Sequence, residues 1–137
     1  MQNPVENIVE TLQDRLDCTS FLEITNGTNF WEILSGEGPF TVFVPDDRAF
    51  LELPDDAFND LIKSKNALRL IASNHVVSGR FHAEEIGQMD AIETMANQSI
   101  AIERNNEGVL IGAAKVVEGD IICTNGIVHI IDVVLMP

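Results

Sequence analysis

The chain has 137 residues, 45% hydrophobic and 22% charged, the make-up of one ordinary globular domain rather than of a disordered or fibrous segment. Twenty-two acidic against eight basic side chains give a formal charge of -14, which repels phosphate backbones and excludes nucleic acid as a partner. The longest apolar run, Ile127 to Met136, is broken by His129 and Asp132 and falls far short of the ~20 residues that cross a bilayer, so no membrane insertion is expected.

The first third reads as helical. Val5, Ile8, Val9, Leu12 and Leu16 line one face of a helix, with Asn3 as N-cap and Pro4 in the first turn. Ser20 to Glu23 is a capping-box pattern for a second helix, ended by Asn26-Gly27, and a short third one covers Phe30 to Leu34. After the turn at Gly36 to Pro39, the β-branched and aromatic run Phe40 to Val44 is apolar on both faces, which predicts an interior strand. Pro45 ends it, and Asp46 or Asp47 caps a helical turn carrying Ala49, Phe50 and Leu53. Further helices follow, one restarting at Pro54-Asp55 with Ala57, Phe58, Leu61 and Ile62, the next capped by Asn66 with Leu68, Ile71 and Ala72 inward.

From His75 onward short strands alternate with turn residues. Val76-Val77 precedes Ser78-Gly79, Ile100 and Ile102 alternate with Ala101 and Glu103, and Asn105 to Gly108 forms a hairpin turn before Val109 to Ile111. Gly119-Asp120 and Asn125-Gly126 delimit a strand around Ile121 to Thr124, and a last strand runs from Ile127 to Leu135. In that last strand His129 and Asp132 point to opposite faces, so they cannot form a catalytic pair.

Residues 1–60 hold thirteen acidic and two basic side chains, residues 61–137 nine and six. The acids of the first part sit between apolar residues at helical spacing, as on a solvated helical face; a docking surface for a basic partner is the alternative. Cys18 and Cys123 lack further ligands at metal-binding spacing, so no metal site is expected, and the pair reads either as two buried thiols or as a disulfide in an oxidising compartment. Met1 to Pro4 lacks the basic and apolar regions of a signal peptide, pointing to an intracellular chain or to a mature domain excised from a precursor.

Three blocks in order resemble the fasciclin domain family: Phe40 to Phe50, with Thr41, Phe43, Pro45, Asp46, Ala49 and Phe50; Asn74 to Phe81, similar to the family's Tyr-His-Val-Val-x-Gly; and Asn125 to Pro137, with Asn125, Gly126 and His129. The resemblance covers the full chain. It implies a single α+β unit over residues 1–137, a wedge of mostly antiparallel strands packed with a group of helices. It also implies an extracellular, cell-surface or periplasmic setting and a role in adhesion or protein-protein interaction, with a protein or matrix ligand and a monomeric isolated domain. In animal members the middle block and an Asp-Ile segment before the last strand have been linked to receptor binding. Here the corresponding candidates are Asn74, His75, Asp120 and Ile121. Asn74 replaces the family's tyrosine and the chain has no Tyr, so the aromatic anchor of that block is missing. His75 is expected to be structural, its ring bonded to backbone or to a carboxylate such as Asp46 or Asp47.

No Gly-x-Ser-x-Gly elbow, phosphate-cradling loop or His-Glu-x-x-His is present, and with 22 carboxylates the acids near His75, His82 and His129 are expected by chance. An enzyme is therefore not expected, nor a cofactor. The alternative to adhesion is a carrier of an apolar small molecule such as a carotenoid, in a cleft lined by Phe30, Trp31 and Phe58, residues that equally suit ordinary core packing.

Overall fold

The computed structural model of the chain describes residues 7–13, 15, 19–26, 32, 34, 36, 38–51, 63–105, 108–112 and 114–135. Along the chain these form α1 (Ile8–Gln13), α2 (Thr19–Asn26), β1 (Phe40–Pro45), α3 (Asp47–Leu51), α4 (Lys65–Asn74), β2 (Val76–Ser78), α5 (Ala83–Ile86), β3 (Ala91–Glu93), β4 (Ser99–Asn105), β5 (Gly108–Ile111), β6 (Ala114–Cys123) and β7 (Gly126–Ile131). The class is α+β, as the sequence implies.

The strands make one seven-stranded sheet in the order β2-β1-β7-β6-β5-β4-β3. Every neighbouring pair is antiparallel except β1 and β7, which run parallel with Phe40 opposite Gly126 and Pro45 opposite Ile131. β1 was expected to be interior from its two apolar faces, and β7 beside it has all six residues buried.

Alternation along these two strands feeds two cores. Val42, Val44, Val128 and Ile130 face the helices, meeting Ile8 and Leu12 of α1, Phe21 of α2 and Ile71 of α4. Phe43 and Ile131 face the other way and pack with Ile92, Ile102 and Ile111 from the outer strands. The second core exists because the sheet curls over on itself. Met95, just after β3, donates its N–H to the Val76 carbonyl of β2 at 2.8 Å, so the two ends of the sheet are tied together. Burying one such Ile or Leu side chain fully stabilises by about 1.5–3 kcal/mol.

Asn125 joins the helical layer to the sheet. Its Oδ1 accepts the Ile8 N–H (2.9 Å), and its Nδ2 donates to the carbonyls of Leu34 (2.6 Å) and Gly36 (2.7 Å). The two acids after Pro45 divide the capping work. Asp46 Oδ1 accepts the Ala49 N–H at 2.9 Å and so caps its own helix, α3. Asp47 reaches instead to α2, where its oxygens take the Ser20 N–H (2.9 Å) and the Thr19 hydroxyl (2.7 Å). Asp47→Ala should therefore cost about 1–2 kcal/mol in urea unfolding, through loss of a remote charged cap. A change under about 0.5 kcal/mol would show that α2 does not depend on it.

Several boundaries differ from those expected. The described start of α1 is a capping box at Asn7, with Asn7 Oδ1 accepting the Glu10 N–H (2.8 Å) and Glu10 Oε1 the Asn7 N–H (3.0 Å); the start expected at Asn3 lies outside the described residues. Ser20 sits inside α2 and is no cap, because Asp47 supplies the oxygen. Ser64 rather than Asn66 caps α4, its Oγ accepting the Ala67 N–H at 3.2 Å. The short α5 interrupts a stretch read as strands and turns, and β3 is a further short strand within it. β7 stops at Ile131, where Asp132 bends away to accept the Lys115 N–H on its carboxylate (2.7 Å). The helices expected over Phe30 to Leu34 and from Pro54 onward fall largely outside the described residues.

Candidate functional site

β6 was expected to begin near Ile121, after a turn at Gly119-Asp120. It begins instead at Ala114 and runs through that dipeptide as a bulge. Its register against β7 shifts twice, between Val116 and Glu118 and between Glu118 and Ile121, so β6 carries extra residues there. Asp120 takes φ 56, the left-handed region that Asp tolerates better than most side chains. The segment Val117 to Asp120 is pushed to the surface, with Val117 50% exposed and Glu118 and Asp120 exposed as well.

His129 holds the bulge from beneath. Its Nδ1 accepts the Asp120 N–H at 3.1 Å and its Nε2 lies 2.9 Å from the Phe81 carbonyl, which assigns the neutral ring with hydrogen on Nε2. Burial lowers its pKa below 6.5, opposed by the Phe81 carbonyl and the Asp120 charge and assisted by His82. The ring stacks on Phe43, centroids 5.8 Å apart. Thr41, on the same face, donates its hydroxyl to the Gly79 carbonyl (2.7 Å) and accepts the Phe81 N–H (2.9 Å). Thr41, Phe43 and His129 thus tie the middle block to the central strands.

The Asp120 carboxylate is half-exposed. Its Oδ1 accepts the Ala83 N–H at the start of α5 (2.9 Å) and lies 3.5 Å from His82 Nδ1, while Oδ2 meets no protein group among the described residues. Glu118 makes a two-pronged pair with Arg15, both N···O distances 3.0 Å. Ile121 is partly buried against the helical core, so the exposed aliphatic of the segment is Val117. Val117 and Arg15 were not singled out from sequence; only the fold exposes the one and brings the other to Glu118.

Asn74 and His75, named among the contact candidates, are not surface residues; His75 has the structural role expected of it. They are 2% and 0% exposed because both fasten the C-terminal segment. Asn74 Nδ2 donates to the Leu135 carbonyl (2.8 Å) and its Oδ1 accepts the Thr94 hydroxyl (3.2 Å). His75 Nε2 accepts the Leu135 N–H (2.9 Å) while Nδ1 donates to the Ile71 carbonyl (2.8 Å), so its partners are backbone and neither Asp46 nor Asp47. Burial lowers its pKa from 6.5 to about 4, the Ile71 carbonyl opposing.

A cavity of about 350 Å³ is lined by Asn74 with Gln98, Ser99, Ile100, Val133 and Leu135. Phe30, Trp31 and Phe58, the expected walls of a carrier cleft, lie outside the described residues. So does Cys18; Cys123 is buried, its Sγ 3.3 Å from Thr11 Oγ1. Among the described residues no three His, Cys, Asp or Glu side chains group to hold a metal ion, and no helix is long and apolar enough to cross a membrane.

The profile of the fasciclin domain matches residues 16–137. The chain belongs to the fasciclin domain family. An uncharacterized protein of Synechocystis sp., sll1735, is 32% identical over 130 residues, spanning 95% of this chain and 97% of that one. Human periostin is 30% identical over 134 residues, covering 96% of this fasciclin domain but 16% of periostin. Among solved structures, a FAS1 domain pair from the insect cell adhesion molecule fasciclin I superposes with a TM-score of 0.78 at 19% identity, over 98% of this chain and 52% of the pair.

Proposed function

We propose that this fasciclin domain, one unit over residues 1–137, acts outside the cell, at its surface or in the periplasm as a non-catalytic, monomeric module that binds a protein or matrix ligand. The observation that carries the reading is the β6 bulge: it exposes the Asp120 carboxylate and, three residues earlier along the same strand, the aliphatic side chain of Val117. A charge fixed by backbone and helix contacts loses little freedom on binding, and an exposed aliphatic group adds contact area. Membership of a family that includes a cell adhesion molecule supports the same reading.

Asp120→Asn separates contact from fold. The amide keeps an oxygen for the Ala83 N–H and tolerates the left-handed backbone, so the melting temperature should stay within about 2 °C. Adhesion of cells and matrix proteins to immobilised domain should fall by about tenfold or more. Adhesion equal to that of the unsubstituted chain would remove the bulge from the contact surface.

A further inference from the structure

β6 is ten residues long, but β5 pairs with only Ala114 and Lys115 at its start. Beyond them β7 lies along one side, and no described strand lies along the other. The hairpin sets which backbone groups face that open side. Thr124 and Asn125 form a two-residue turn, so Cys123 and Gly126 exchange both backbone hydrogen bonds, Ile122 and Ile127 are the non-bonded pair, and Ile121 and Val128 bond again. Ile127 therefore turns its N–H and C=O toward β1, in step with Ile131, whose carbonyl accepts the Asp46 N–H at 3.1 Å. Ile122 turns its own outward, where no described group takes them.

An unpaired edge is a template for another strand, and charge decides which one. The bulge, with Glu118 and Asp120 exposed on it, lies immediately before Ile122, and the exposed Glu84 and Glu85 stand on α5, whose first N–H is bonded to Asp120. With a formal charge of -14, a second copy is repelled from this edge while a cationic segment is drawn to it. Since Glu118 already holds Arg15, Asp120 is the carboxylate with an oxygen still to offer.

We infer that the open side of β6 at Ile122 takes an extended basic segment of a partner protein as an added strand, a Lys or Arg side chain meeting Asp120. This rests on the bulge as interaction surface and adds the partner's conformation and charge. The test is a titration of the isotope-labelled full chain with a decapeptide of alternating Lys and Val, and with its Glu-Val counterpart. The Lys peptide should slow hydrogen exchange at the Ile122 amide about tenfold or more, and the Glu peptide should leave it unchanged. Ile122→Pro removes an outward donor but no bond of the β6–β7 ladder, so it should weaken the Lys peptide by about tenfold. Absence of binding overturns the proposal, and so does binding without slower exchange at Ile122, which would be contact by charge alone. Cell adhesion separates the two readings. If Asp120→Asn lowers adhesion and Ile122→Pro does not, the surface stands and strand addition is overturned; if neither lowers it, the surface itself is wrong. Should Ile122→Pro fail to fold, exchange at Ile122 in the unsubstituted chain decides alone.

Discussion

Gly126→Ala should abolish the cooperative unfolding transition at neutral pH, or lower stability by more than about 4 kcal/mol. A Cβ at this position would overlap the Phe40 carbonyl oxygen and lie 2.9 Å from both the Phe40 carbonyl carbon and Ile8 Cδ1. The first two are backbone atoms of β1, which cannot withdraw because it is bonded to β2 on one side and β7 on the other. Relief requires separating the one parallel pair at the centre of both cores. Gly108→Ala is the matched control: nothing lies within 4 Å of its added Cβ, and only the strain of φ +129 remains, worth about 1–2 kcal/mol. Urea denaturation of the two variants should rank them clearly. Equal losses would mean that close approach at β1 is not what position 126 requires.

Acid should weaken the fold through its two buried histidines. For His75 the folded pKa of about 4 lies below the ordinary 6.5, so the unfolded chain takes up a proton first as pH falls. The contribution is intact above about pH 6.5, is lost progressively down to about pH 4, and then levels off at roughly 3 kcal/mol, taking about 1.4 kcal/mol per pH unit. His129, also lowered by burial, acts in the same direction. The geometry explains why neither accepts a proton readily: His75 Nε2 and His129 Nδ1 each already receive a backbone N–H, from Leu135 and Asp120. Urea midpoints of the native chain and of His75→Phe at pH 7 and pH 4 provide the check. The variant should be less stable at pH 7, having lost both backbone bonds, yet should lose less between the two pH values. A drop as large as that of the native chain would assign the acid sensitivity elsewhere.

Much of the centre was legible in the sequence, because β1 and β7 bury both faces and therefore carry apolar residues at both parities, with Thr41 and His129 as the polar exceptions. The same rule made β6 illegible. Its bulge places Glu118, Gly119 and Asp120 in mid-strand, a composition that belongs to a turn wherever the partner strand is unknown. α5 has only four residues, too few for helical periodicity to emerge. Asn125-Gly126 was readable as a turn, but the three bonds of the Asn125 side chain end at Ile8, Leu34 and Gly36, which no local pattern connects to it. A structural role for His75 was legible from its type, but the partners of Asn74 and His75 were not. Their burial depends on Leu135 returning across the end of α4, a contact between segments sixty residues apart along the chain.

The parallel pairing of β1 with β7 also constrains how the chain acquires its shape during synthesis. Phe40 cannot find Gly126 until every other described strand has been translated, so β1 must wait, apolar on both faces, for this neighbour to emerge. A closure this distant in sequence is slow, and it exposes Val42, Phe43 and Val44 to misassociation throughout. For a nascent chain the vulnerable interval therefore ends late, when Ile131 leaves the ribosome and the two strands lock.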